Sequence, residues 1–208
     1  MNLGILIILI TILGCFSNWL NGKFLNFRIT HWLYYLGALI HELSHAILCV
    51  LTGARISEFK VFSKQPHVTH SRPRLILIGQ PLISLAPIAG GLLFIYIINT
   101  WLLNNYINVI NPTALQEIPR LLINIFSQLN LAEWQTWIII LLFINVGAMI
   151  GPSTKDLKNI WPFIIVMFFI NWPLLTNLSI VAIYMIIINI IIQIIAILIK
   201  QFFRFIPS

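Results

Sequence analysis

Long apolar runs separated by short polar links dominate this chain. Six of them, residues 3–20, 32–53, 75–103, 134–151, 160–175 and 178–199, reach or approach the ~20 helical residues that cross a hydrocarbon core. The third is overlong and contains Pro81 and Pro87, which predicts a kink or local unwinding. The fifth is the shortest. Residues 54–73 have a different character. Ile56, Phe59, Val61 and Phe62 precede Lys64-Gln65-Pro66, and Val68-Thr69 follow, a pattern that predicts two short strands around a turn. Further on, Asn111-Pro112-Thr113 has the form of a helix start. Leu115, Ile118, Leu122, Ile125, Phe126 and Leu129 then recur at helical spacing, which predicts an amphipathic segment over 113–130 on the membrane surface, broken near Pro119. The expected fold is an all-α polytopic membrane protein: one domain over 1–208, about six transmembrane helices and a small cytoplasmic β-hairpin.

Composition sharpens this picture. Of 208 residues, 60% are hydrophobic and 8% charged, too few charges to cover a water-soluble globule of this size. Soluble-enzyme, disordered and collagen-like readings are excluded. The net charge of +7 points to loop charges that set orientation and meet anionic lipid, with no nucleic-acid partner. In a six-span arrangement, nine of the 12 Lys and Arg fall on the side that carries residues 54–74, the 152–159 link and both termini. The positive-inside rule makes that side cytoplasmic and the cell membrane the expected location. Residues 2–20 lack a basic flank and a small-residue cleavage site, so they read as a retained span. Cys15 and Cys49 lie in apolar runs and read as buried thiols. Trp19, Trp32, Trp101, Trp134 and Trp161 fall near span ends, as interfacial anchors do. Gly79, Ala86, Ala89, Gly90 and Gly91 thin the third span and permit close helix packing.

The second span contains His41-Glu42-Leu43-Ser44-His45, an H-E-x-x-H pattern. Residues four apart share a helix face, so both imidazoles can reach one metal ion. Glu42 is offset by about 100° and is suited to activate water. A carboxylate at membrane depth costs about 2.5–3.5 kcal/mol, which argues for a function rather than passive packing. A catalytic zinc site uses three protein ligands and keeps one position open. Asp156, the only aspartate, follows the fourth span at Gly151-Pro152, where a broken helix permits re-entry. The second and fourth spans run in the same direction, so their ends can be neighbours. Zinc, two neutral histidines, Asp156 and Glu42 sum to zero charge, which suits a low-dielectric site. The alternative role for Asp156 is a helix cap. His31 fits the mouth of the second span. His67 and His70 form H-x-x-H in the hairpin, with a surface role or a second metal or gating role open. The hairpin reads either as a connector or as an edge to which an extended segment adds a strand.

The stretch His41-Glu-Leu-Ser-His-Ala, then Leu51-Thr-Gly-Ala-Arg-Ile, a basic hairpin and a small-residue helix resembles the site-2 protease family of intramembrane zinc metalloproteases, in its compact branch without a PDZ domain. The resemblance implies one zinc ion per chain held by His41, His45 and Asp156, water activation by Glu42, and a membrane-anchored protein substrate. It assigns possible substrate contact to Asn145 and Pro152. The family usually has Asn-x-x-Pro, four residues, then Asp-Gly; here three residues separate Pro152 from Asp156, Leu157 follows, and the nearest upstream asparagine is Asn145. Two rival readings are a non-hydrolytic metal-binding chaperone or assembly factor derived from a protease, and a transporter with buried relays. The transporter reading requires a polar path through both leaflets, and Leu33–Ile40 and Ile138–Ile144 do not supply one.

Overall fold

The computed structural model describes residues 2–24, 34–61, 63, 66–74, 76–103, 130–153 and 155–204. His31 and residues 113–129 of the expected amphipathic segment lie outside these. The apolar runs form helices: α1 (Leu3–Phe24), α2 (Tyr35–Leu51), α3 (Ile76–Ile97), α4 (Trp134–Met149), α5 (Trp161–Met167) and α6 (Pro173–Arg204). A π-helical turn, Ile98–Leu102, extends α3, and a 3-10 turn, Asp156–Lys158, lies between α4 and α5. Among the described residues, three helical stretches, Leu3–Gly22, Ile78–Leu102 and Pro173–Phe202, are long and apolar enough to cross a membrane. α2 and α4, with 17 and 16 residues, are shorter apolar helices. Pro81 and Pro87 sit inside α3 without interrupting it.

The fifth apolar run does not form one span. α5 has seven residues, about 10 Å of helix, and the chain then turns before α6 begins at Pro173. Pro173 takes the first position of α6, where its missing N–H leaves no helical bond unmade.

Contacts fix the helix directions. The Asn2 amide donates to the Phe168 carbonyl at 3.0 Å, and Gly4 lies against the Phe168 ring. Further along α1, the Ser17 hydroxyl accepts hydrogen bonds from Asn189 at 3.1 Å and Gln193 at 2.9 Å. An antiparallel α6 would put Pro173 roughly 45 Å from Phe168, and five residues reach no more than about 18 Å. α1 and α6 therefore run side by side in the same direction. A six-span arrangement requires its first and last spans to oppose one another, and the short α5 removes that requirement.

α2 and α4 are also parallel, as expected. The Gly37 N–H donates to Asn145 and His41 to the Met149 carbonyl. α3 runs back along α2: Gly90 meets Ser44 and Gly79 meets Thr52. The core is formed by the middle of α6 (Ala182, Met185 and Ile186 are fully buried) with Leu6 and Ile10 of α1 and apolar residues of α3 and α4. Exposed Ile, Leu and Trp side chains cover much of the remaining helix surface.

The expected hairpin is present. β1 (Ile56–Lys60) pairs antiparallel with β2 (His67–His70), matching Ile56 to His70 and Lys60 to His67, with a register shift between Ile56 and Glu58. At its base Gly53 adopts φ +74°, a left-handed conformation that lets the chain turn out of α2.

Candidate metal centre

His41 and His45 are one turn apart on α2, and their ring centroids lie 5.0 Å apart with planes at 68°. Asp156 reaches them from the 3-10 turn beyond α4. One ligand atom from each of the three lies within 4.8 Å of the others. The His45 Nε2 to Asp156 Oδ2 distance is 3.6 Å. Two ligands at 2.0–2.2 Å from a tetrahedral ion are about 3.4 Å apart, so this spacing fits a shared cation. His45 and Asp156 are both buried.

The imidazole orientation fits the same purpose. His41 Nδ1–H donates to the Met149 carbonyl at 2.7 Å, and His45 Nδ1–H donates to the Ile83 carbonyl at 2.9 Å. A carbonyl only accepts, so both Nδ1 atoms carry a proton, which leaves Nε2 of each ring as the atom that can meet a metal. Metal-binding histidines are held by such outer bonds. Asp156 is fixed by a capping box: its Oδ2 accepts the Ser153 N–H at 2.9 Å and hydroxyl at 2.6 Å, while the Asp156 N–H faces the Ser153 hydroxyl at 3.4 Å. The cap and the ligand are thus the same side chain, and the oxygen that accepts from Ser153, Oδ2, is also the one that faces His45. Sequence reading passed over Ser153, although Ser-x-x-Asp is itself a capping signature.

Glu42 is buried on the same helix, with Val68 and His67 of β2 near its carboxylate. The hairpin thus lies over the site. Glu58 and His67 are not among the three converging residues. Glu58 is ion-paired with Lys60 at 2.5 Å and with His67 at 3.1 Å. His70 bonds to the Ser71 carbonyl at 2.8 Å.

Asn145 and Pro152 are both buried in the bundle. Asn145 is 1% exposed, accepts from Gly37 N–H at 3.4 Å and donates to the Leu141 carbonyl at 3.1 Å. The buried Pro152 presents its carbonyl to the Cys15 thiol at 3.6 Å. Cys15 and Cys49 are both free thiols.

The small residues act where helices touch. A Cβ on Gly90 would fall on the Ser44 hydroxyl, one residue from His45. Gly14 and Gly151 abut backbone to backbone, which presses α1 against the link that leads to Asp156.

No family model, curated protein or solved structure matches the chain. The functional reading rests on these side chains and their geometry.

Proposed function

We propose that this membrane protein is an intramembrane zinc metallo-endopeptidase that hydrolyses a peptide bond of a membrane-anchored protein. The observation that carries the reading is the convergence of His41, His45 and Asp156, with both Nδ1–H groups committed elsewhere and a buried glutamate one residue from the first histidine. The resemblance to site-2 proteases supports the same roles. A zinc ion held by the three residues would supply Lewis acidity toward the scissile carbonyl and lower the pKa of water. Glu42 accepts the proton of the attacking water and returns it to the leaving amine. The bundle excludes bulk water, and Asp156 and the histidines stay fixed by Ser153, Met149 and Ile83. The excess of Lys and Arg around the hairpin favours a cytoplasmic opening in the cell membrane.

A non-hydrolytic metal-binding role is favoured by one observation. Asn145, which the resemblance would give to substrate, spends its side chain on Gly37 and Leu141. Glu42→Gln separates the two readings. It should keep about one zinc per chain and lose about 10²–10⁴-fold in cleavage of a model membrane-anchored substrate. Undiminished function at full zinc occupancy would overturn the protease reading.

A further inference from the structure

The bonds that orient the two histidines have a common origin in the backbone. In an α-helix the carbonyl of residue i accepts the N–H of residue i+4. Pro87 has no N–H, so inside α3 the carbonyl of Ile83 has no ladder partner, and the pyrrolidine ring pushes against it. That carbonyl is the one that receives the Nδ1–H of His45. Outside a proline site it would already be bonded and would compete poorly for the imidazole.

The end of α4 follows the same principle. Met149 would need the Ser153 N–H to continue the ladder. The helix stops there, ahead of Gly151-Pro152, and the Ser153 N–H is bonded to Asp156. The Met149 carbonyl takes the Nδ1–H of His41 instead. Each ligand is therefore held by a group released from a helix: two carbonyls and one N–H.

We infer that Pro87 is a positioning residue of this centre. By leaving the Ile83 carbonyl unpaired within a continuous helix, it holds the His45 ring with Nδ1–H on that carbonyl and Nε2 toward Asp156. Pro87 also borders a small cavity next to His41, together with Gly37, Ile40, Gly91 and Val146, so it lies near the His41 turn of α2 as well. The metal part of this inference rests on the proposed centre. The tautomer part does not.

Pro87→Ala and the bulkier Pro87→Val both restore an N–H that can recapture Ile83, and the second serves if the first fails to fold. Pro81→Ala is the control, because it restores a partner to Leu77, more than one turn farther from the histidine contact. The full chain is labelled with ¹⁵N-histidine, and the His45 tautomer is read by NMR in metal-free protein; zinc affinity is read by chelator competition. Wild type and Pro81→Ala should show Nδ1 of His45 protonated throughout. The Pro87 variants should show Nδ1 partly unprotonated and bind zinc about 10–100-fold more weakly, with helix content retained. A folded Pro87 variant with the wild-type tautomer and wild-type zinc affinity would overturn the inference. A wild-type chain that binds no zinc would overturn the metal reading, and the tautomer result would still decide the role of Pro87.

Discussion

Gly14→Ala tests whether the metal centre depends on a helix far from it in sequence. A Cβ at position 14 would lie 2.3 Å from the Gly151 Cα, where ordinary contact begins near 3.4 Å. The neighbour is backbone, which cannot swing aside as a side-chain tip can, so α1 and the link must part by about 1 Å. Gly151 is two residues beyond Met149, and the His41–Met149 bond is 2.7 Å long. Stretching it by 1 Å takes it outside hydrogen-bond range. Metal sites tolerate about 0.2 Å, and loss of an outer bond typically costs 10–100-fold in affinity. The overpacking itself should destabilise the fold by about 1–3 kcal/mol. Chelator competition and thermal unfolding in detergent measure both effects. Gly22→Ala is the reference, since a Cβ there meets nothing within 4 Å among the described residues. Equal zinc affinity and equal unfolding temperature in the two variants would refute the claim that the Gly14–Gly151 contact sets the position of the link.

Other consequences can be checked directly. His41→Ala, His45→Ala and Asp156→Ala should each abolish stoichiometric zinc binding, measured by metal analysis of purified protein; undiminished zinc in all three would end the metal reading. Lys60 foremost, and His67, hold the Glu58 carboxyl below its ordinary value of 4.5. A depressed carboxyl stabilises the hairpin fully above that value and loses the contribution as pH falls through its folded pKa. An NMR titration should therefore show Glu58 titrating lower in wild type than in Lys60→Ala, and identical curves would contradict the pairing. Ser17 Oγ is the shared acceptor for Asn189 and Gln193, whose own amide oxygens lack partners among the described residues. Ser17→Ala should cost about 1–2 kcal/mol by stranding two buried donors, while Gln193→Leu, which removes an unpaired oxygen as well, should cost less in the same unfolding assay.

The legible parts of the chain are those governed by local pattern. Apolar length marked α1, α3 and α6, and the β-branched and aromatic residues around Lys64-Gln65-Pro66 marked the hairpin. His41 and His45 were set by i, i+4 spacing, and Asp156 by the shared direction of α2 and α4. Hydrophobicity could not show that 160–175 is interrupted: apolar residues are equally at home in a span, a seven-residue helix and an extended turn. The spending of Asn145 on Gly37 is a tertiary contact with no local signature. Pro87 was visible, but as a kink; that its missing N–H exposes the Ile83 carbonyl to His45 depends on α2 lying beside α3, which only packing supplies.

The parallel course of α1 and α6 bears on how the chain is threaded. Two membrane-crossing helices that run the same way present their starts to one compartment and their ends to the other. Reporters attached beside Leu3 and beyond Arg204 would then report opposite compartments, and Lys200 and Arg204 would leave the side that holds the hairpin. The charge bias that orients insertion would rest mainly on Arg55, Lys60, Lys64, Arg72 and Arg74. Neutralising this one segment should scramble the orientation of the whole protein, whereas removing the basic residues at the end of α6 should leave it inserted as before.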